Sequence, residues 1–167
     1  MRYGLMSNFR RSWSKVGERA ILPQKQAFEN RYLFTALSPV SGESFHLMGI
    51  DDMDLNATQA FLTAFKAEYP NQHIVLVWDN APCHRPKIFR EISGLTVLFL
   101  PPYSPQLNPT ERFFEEIRRV TCNTIFETLD VLEKKIAAAV NTWSDNVGAM
   151  KKLLGYEWIL NQYEGVN

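Results

Sequence analysis

Two acidic residues, Asp79 and Glu111, lie at positions in the sequence where their carboxylates could take part in catalysis. Asp79 directly follows an apolar run at residues 74–78 (IVLVW), and Glu111 comes after a second apolar run at 95–100 (LTVLFL) and a proline-rich segment. Open α/β sheets bind ligands at the carboxyl ends of their strands. Mg²⁺ and Mn²⁺ prefer oxygen ligands, and Mg²⁺ is usually held by one or two carboxylates together with substrate phosphates. The pair therefore indicates a divalent-cation site for phosphoryl chemistry.

Each carboxylate also has a purely structural interpretation. Residues 79–82 (DNAP) are typical of a turn in which Asp and Asn side chains bond their own backbone. Asn108, Pro109 and Glu111 fit the N-cap, first and third positions of a helix, so Glu111 could serve a capping box. A two-metal nuclease site, with ions about 3.5 to 4 Å apart, normally needs a third carboxylate. Capping and catalysis are compatible, and the third acid is the open question.

The elements that must position these acids follow from hydrophobic patterning. Residues 31–37 and 43–48, separated by SPVSG, predict an antiparallel hairpin, and Asn56 predicts the N-cap of a helix to about residue 69. The runs before Asp79 and Glu111 lack alternation, which is typical of strands covered on both faces, and a short helix at 87–92 would join them as a βαβ unit.

The second half of the chain is predicted to be helical. Residues 101–109 (PPYSPQLNP) hold four prolines in nine and should run extended over the surface. Helices are then predicted over residues 109–121, 129–143, 146–154 and 156–163. The fold class is α/β, a mixed sheet flanked by helices with a helical C-terminal end, and residues 1–167 form a single domain.

Composition and charge exclude several classes of protein. Of 167 residues, 46% are hydrophobic and 13% aromatic, which excludes a disordered or collagen-like chain. Two cysteines, Cys83 and Cys122, are too few for a disulfide scaffold, and no apolar run is long enough for a signal peptide or a membrane span. We expect a cytoplasmic protein. The net charge is zero, but residues 1–31 carry seven basic and two acidic side chains, a charge pattern that suits phosphate contact or a solvated surface.

Two segments carry a family resemblance. VWDNAPCHRPK at residues 77–87 and LFLPPYSPQLNPTERFFEEIRR at 98–119 closely resemble the catalytic domain of DDE transposases of the mariner-like insertion-sequence superfamily. The similarity continues upstream through residues 10–17, 31–43 and Phe61, and downstream to Trp143 and residues 156–159, so it covers essentially the whole chain. It implies a ribonuclease-H-like fold.

The resemblance also implies a reaction and a set of site residues. In that family the Asp of the Asp-Asn pair and the Glu of the Asn-Pro-x-Glu element are the second and third metal-binding acids, which correspond here to Asp79 and Glu111. Two Mg²⁺ or Mn²⁺ ions are expected in a complete site. The implied reaction is hydrolysis of DNA strands at element ends, followed by transfer of the freed 3′-OH to target DNA.

The sequence departs from the family pattern at its beginning. The family's first acid belongs to an Asp-Glu pair immediately before a segment that resembles residues 2–5, and this sequence begins at Met1. We therefore expect a domain that lacks its first strand and is inactive as written, and a helix-turn-helix recognition domain is not seen either. The acids Asp51, Asp52 and Asp54 are interpreted as a solvated loop.

Other side chains are assigned supporting roles. Arg10, Arg11, Arg85 and Lys87 are candidates for contact with the DNA backbone, and Asn80, His84 and Asn108 are candidates for supporting the loops around the acids. Cys83 and His84 could form a thiol dyad, but neighbours on one loop rarely point at each other.

Partners and alternative functions follow. We expect DNA as a partner, with a homodimer or association with intact transposase, and no membrane. The competing functions are a non-catalytic DNA-binding or transposase-interacting remnant and a ribonuclease-H-type nuclease acting on RNA–DNA hybrids.

Overall fold

The computed structural model describes residues 1–79 and 92–164. Its regular elements, in chain order, are β1 (Arg2–Gly4), β2 (Asn30–Leu37), β3 (Ser44–Ile50), α1 (Leu55–Glu68), β4 (Ile74–Trp78), β5 (Leu95–Phe99), α2 (Thr110–Thr121), α3 (Leu129–Ser144), α4 (Val147–Leu154) and α5 (Glu157–Glu164). The α/β class predicted from the sequence is confirmed. The short helix predicted at 87–92 falls almost wholly outside the described residues.

The strands form two small sheets. β1, β2 and β3 pair antiparallel in that order, which confirms the hairpin, and β4 pairs with β5 in parallel, as the predicted βαβ unit requires. The turn of the hairpin depends on Gly42, whose φ of 74° is left-handed and whose added Cβ would lie 2.8 Å from the Val147 carbonyl oxygen. That close approach sets the hairpin against the start of α4.

The first strand differs from the sequence-based expectation. A three-residue strand, β1, stands before the hairpin and pairs Arg2 with Tyr32 and Tyr3 with Arg31. A groove of about 620 Å³ lies between β2 and β4. Because β1 and β4 are not hydrogen-bonded, the described strands do not form one continuous sheet.

The prediction that β4 and β5 are buried on both faces is wrong. Trp78 and Leu95 are buried, but the side chains of the opposite face are half exposed: Val75 at 57%, Val77 at 55% and Leu98 at 52%. Side chains alternate between the two faces of a strand, and the apolar cluster around Phe61 covers only one of them. Among the described residues, the other face borders the groove instead of packing against an element.

Two hydrophobic clusters hold the domain together, one on each face of β2. The first joins β1 and β2 to α2, α3 and α4, with Leu33, Phe113, Ile117 and Ile136 fully buried. The second joins β2, β4 and β5 to α1 around Phe61 and Leu62. The helices α2 to α4 and the helix α1 therefore sandwich the sheet, and the described helices include none long and apolar enough to cross a bilayer.

The start of α1 corrects the predicted cap. Asp54, not Asn56, is the N-cap, because the Asp54 carboxylate accepts a hydrogen bond from the Ala57 amide at 2.8 Å. Asn56 lies inside the helix, and its side chain donates to Asp54 at 3.2 Å. Asp54 therefore has a structural role rather than belonging only to a solvated loop.

Residues 8–24 form an arm without helix or strand. Its base is closed by hydrogen bonds from the Leu5 amide to the Glu29 oxygen at 3.0 Å and from the Ser7 amide to the Lys25 oxygen at 3.2 Å. The Lys25 ammonium group anchors it to the Phe126 and Glu127 carbonyl oxygens, at 2.9 and 2.8 Å. Residues 11–20 of the arm are all exposed.

Candidate functional site

Asp79 lies at the carboxyl end of β4, where the sequence placed it. The position is fixed by the last hydrogen bond of the parallel pair, in which the Leu100 amide donates to the Trp78 oxygen at 2.8 Å. Asp79 itself is exposed. A carboxylate at this edge of a parallel pair is open to ligand from the side where such sheets bind their substrates.

Glu111 occupies the first turn of α2 and does not close a capping box. The N-cap of α2 is Pro109, not the predicted Asn108, and no side chain caps the helix there. Asn108 still contacts the helix start, since its Oδ1 accepts from the Thr110 amide at 3.1 Å, but its own amide already donates to the Pro105 oxygen at 3.0 Å. The Glu111 carboxylate lies 3.9 Å from the Arg118 guanidinium, so the predicted capping box is not formed.

The charges of both acids act on the amino group of Met1. The group donates to the Leu33 oxygen at 2.6 Å, and burial lowers its pKa to about 6. The negative charges of Glu111 and Asp79 both raise that pKa, whereas the positive charge of Arg118 lowers it. Because Coulomb interactions weaken with distance, both carboxylates lie in the neighbourhood of one amine.

The donor set fits a hard divalent cation only in part. Two carboxylates from separate elements offer the oxygen ligands that Mg²⁺ and Mn²⁺ prefer. Within residues 1–79 and 92–164, however, no group of three or more His, Cys, Asp or Glu side chains could hold a metal ion. The described residues thus offer two carboxylates, Asp79 and Glu111, whose charges act on the Met1 amine together with that of Arg118.

A chain of charged contacts links the arm to Glu111. Arg10 forms an ion pair with Glu115, which also pairs with Arg118 at 2.7 Å. Arg118, and secondarily Arg10, hold the pKa of Glu115 below its usual value. The Arg10 backbone is also fixed, since its amide donates to the Asn123 side chain at 2.9 Å. The arm is therefore tied to the helix that carries Glu111.

The remaining predicted site residues divide into two groups. Arg11 is exposed on the arm, whereas the Arg10 guanidinium is engaged by Glu115. Asn80, His84, Arg85 and Lys87 lie outside the described residues. The thiol dyad of Cys83 and His84 also falls there.

Sequence reasoning missed Arg118. No role was predicted for it, yet its guanidinium lies 3.9 Å from the Glu111 carboxylate and lowers the pKa of the Met1 amine. The signal was available, because residues seven apart lie on the same face of an α-helix. The contribution of the Met1 amine had no such signal, since it depends on how β1 pairs with β2.

Comparison with known families identifies the family of this chain. The family model described as DDE superfamily endonuclease matches residues 2–133 of this chain. The chain is 30% identical, over 129 residues, to the uncharacterized protein y4pE/y4sA of Sinorhizobium fredii. That alignment covers 76% of this chain and 95% of the relative.

Solved structures with a similar fold are Mos1 transposase complexes. The Mos1 paired-end complex with left transposon end has a TM-score of 0.59 at 13% identity, covering 93% of this chain and 53% of that one. The pre-cleavage Mos1 transpososome has a TM-score of 0.61 at 14% identity, covering 93% and 54%. This chain spans about half the length of the Mos1 chains, and at these identities the likeness shows the fold.

Proposed function

Because this chain belongs to the DDE superfamily endonuclease family, we propose that it is the catalytic domain of a transposase for DNA strand cleavage and strand transfer. In this proposal Asp79 and Glu111 are the catalytic acids and hold Mg²⁺ or Mn²⁺. The observation that carries it is that two carboxylates from different elements, Asp79 after β4 and Glu111 in the first turn of α2, both act on the charge of one amino group, that of Met1. Mg²⁺ is usually held by one or two carboxylates together with substrate phosphates.

The proposed reaction consists of two phosphoryl transfers. In the first, a water oxygen bonds to a phosphorus at the element end and the bond from that phosphorus to the 3′ oxygen breaks, which leaves a 3′-OH. In the second, that 3′ oxygen bonds to a phosphorus of the target strand and releases the target's own 3′ oxygen. A bound divalent cation supplies activation of the attacking oxygen and stabilisation of the leaving one.

The chain's own residues have distinct parts in this scheme. Asp79 and Glu111 provide the oxygen ligands from the end of β4 and the start of α2. Arg118, 3.9 Å from the Glu111 carboxylate, orients that side chain and places positive charge near a phosphate. Asn108 fixes the first turn of α2 and therefore the position of Glu111.

We further propose that the chain on its own cleaves DNA poorly. The proposal assigns two carboxylates to the site, and no group of three or more potential metal ligands is found among the described residues. A second candidate function follows from the same observation: a DNA-binding or transposase-interacting remnant that does no chemistry. Salt-sensitive DNA binding without Mn²⁺-dependent nicking favours this second function.

DNA and a second protein chain are the proposed partners. The structural neighbours include complexes of Mos1 transposase with transposon ends. The arm exposes basic side chains and large apolar ones, with Trp13 and Val16 fully exposed. Exposed apolar side chains of this size are typical of interaction surfaces. They support a homodimer or association with intact transposase, which sedimentation of the purified chain with and without DNA would test.

Cation binding tests the assignment of the acids. We expect Asp79→Asn and Glu111→Gln each to weaken Mn²⁺ binding at least about tenfold, because each removes one of two anionic ligands. Glu116→Gln is the matched control, since Glu116 lies on the same helix but pairs with Arg119 at 2.6 Å. Titration calorimetry or Mn²⁺ electron paramagnetic resonance measures the affinity.

The same variants separate the two functions. Nicking of DNA with Mn²⁺ that survives Asp79→Asn would refute the assigned acids. Nicking that is strong and needs both acids would refute only the proposal that the chain is a poor catalyst alone. Equal loss of Mn²⁺ affinity in Glu116→Gln would show that the effect is not specific to the site.

A further inference from the structure

We propose that Tyr103 is a base-stacking residue, whose ring holds an unpaired base of the DNA beside the two acids. This contact rests on the proposed function, because it requires DNA to reach the edge of the sheet at which Asp79 and Glu111 lie. Three features of Tyr103 support it: its position in the loop between the acids, its backbone conformation and the exposure of its side chain.

The proline-rich loop at residues 101–109 begins beside one acid and ends beside the other. At its start, the Leu100 amide donates at 2.8 Å to the backbone oxygen of the residue before Asp79. After its end, α2 carries Glu111 in its first turn. Consecutive Cα atoms are about 3.8 Å apart, so the Cα atoms of Leu100 and Tyr103 are at most about 11 Å apart. Nucleotides of one strand follow each other at about 3.4 Å along a duplex, so a base about three steps from the acids lies within that distance.

The backbone of Tyr103 has a conformation that residues with a Cβ rarely adopt. Its φ is 56°, in the left-handed region, where the Cβ crowds the following carbonyl oxygen. The loop fixes this conformation, because the Ser104 hydroxyl donates to the Pro102 oxygen at 3.2 Å and the Leu107 amide donates to the Ser104 oxygen at 3.1 Å. Such backbone strain concentrates at functional sites. A glycine would fit this position with less strain, so the aromatic ring needs a reason of its own.

The side chain of Tyr103 is fully exposed, at 101%. It therefore adds nothing to the packing of the domain, and its ring is open to another flat ring. Every nucleotide base has a π face, so stacking on an aromatic side chain requires no particular DNA sequence. Because the loop already fixes the backbone, little conformational freedom is lost when the ring binds. Exposure and rigidity together fit a stacking platform.

The ligand that suits this ring is an unpaired base rather than a paired base or a protein. In a duplex the neighbouring base pairs cover the face of each base, and side chains reach only the base edges in the grooves. A base outside the stack presents its face. Proteins that recognise proline-rich segments bind a polyproline II helix with φ of about −75°. The positive φ of Tyr103 interrupts that helix in this loop.

The first test compares two DNA probes with the unmodified chain in the presence of EDTA. Both probes are fluorescein-labelled duplexes with a short single-stranded 3′ end, and in the control probe the nucleotides of that end are abasic. We expect fluorescence anisotropy to show about fivefold to a hundredfold tighter binding of the probe that carries the bases, since the phosphates of the two probes are the same. Equal affinity for the two probes, or no binding of either, would overturn the proposal.

Variants of Tyr103 separate the ring from the backbone. Tyr103→Gly removes the ring and relieves the positive φ, so it should fold at least as stably as the wild type and bind both probes equally. Tyr103→Phe retains the ring and should retain the preference for the base-bearing probe. Phe28→Ala is the matched control, since Phe28 is an exposed aromatic residue, at 80%, outside the loop. A preference that survives Tyr103→Gly, or that Phe28→Ala abolishes as well, would overturn the proposal.

Failure of this contact can be told apart from failure of the proposed function. EDTA removes cations from the DNA test, whereas Mn²⁺ affinity of Asp79→Asn and Glu111→Gln tests the acids. Mn²⁺ binding that needs both acids, together with equal affinity for the two probes, would overturn the stacking contact alone. Weaker self-association of Tyr103→Gly with an unchanged preference for the base-bearing probe would assign the ring to a protein contact, which would also overturn the proposal.

Discussion

The half-buried side chain of His46 should make the stability of the domain depend on pH. Its Nδ1 lies 3.1 Å from the Thr35 hydroxyl and its Nε2 lies 3.2 Å from the Ser144 hydroxyl, and its ring stacks on Phe113 with centroids 5.3 Å apart. Since the Ser144 hydroxyl donates to the Val140 oxygen at 3.0 Å, it accepts from Nε2. Nδ1 then accepts from Thr35, so the network fits a neutral imidazole.

The domain should therefore lose stability in mild acid. Burial lowers the pKa of His46 from 6.5 to about 4, so the unfolded chain binds a proton that the folded chain excludes between these two values. Unfolding then becomes easier as the pH falls from 6.5 towards 4, by at most about 3 kcal/mol. Urea unfolding of the wild type and of His46→Gln should show a smaller pH dependence in the variant. An unchanged pH dependence in His46→Gln would contradict the assignment.

At the residue scale, the sequence indicates which side chains could take part in chemistry more readily than it indicates which side chains contact each other. Asp79 and Glu111 were predicted as site residues from their positions after apolar runs, and that assignment stays a prediction. The network of His46 had no sequence signal, because Ser144 is 98 positions away and the contact depends on how α3 packs on β3. The roles of Arg118 and the Met1 amine likewise required the packing of α2 and the pairing of β1.

At the scale of elements, the start of α1 provides a test of capping. Asp54→Ala removes the carboxylate that accepts from the Ala57 amide and should lower the free energy of unfolding by about 1 kcal/mol. Asn56→Ala should change it by less than about 0.5 kcal/mol, because Asn56 lies inside the helix and is exposed. Chemical denaturation of both variants measures the difference. A larger loss of stability in Asn56→Ala than in Asp54→Ala would support Asn56 as the N-cap, as the sequence predicted.

The elements themselves were largely predictable, and the exceptions have one physical origin. The hairpin, the parallel pair and the helices of the second half follow from local patterning and agree with the structure within a few residues. Patterning fails for β4 and β5, where continuous apolar runs suggested burial on both faces. Local sequence reports that a strand could be covered, whereas the covering element must come from another part of the chain or from another molecule. Val75 and Val77 are exposed because no described element covers that face of β4.

At the scale of the whole molecule, charge is balanced in total and uneven in space. The net charge is zero, so the domain as a whole has no long-range attraction for DNA. The excess of basic side chains lies in residues 1–31. Two of these side chains form ion pairs within the domain: Arg10 with Glu115, and Arg31 with Asp51, Asp130 and Glu133. The exposed side chains of Arg11, Lys15 and Arg19 then remain on the arm for phosphate contact.

DNA binding by this neutral chain should therefore depend on the arm. Each charge that contacts a phosphate of duplex DNA contributes about 0.9 to the slope of log affinity against log salt. Replacing Arg11, Lys15 and Arg19 by alanine should lower that slope by up to about 3 and weaken binding most at low salt. The matched control replaces Lys134, Lys135 and Lys152, which are equally exposed on α3 and α4. Fluorescence anisotropy across a salt series measures both variants, and an equal loss in the control would place the DNA on the helical face instead of the arm.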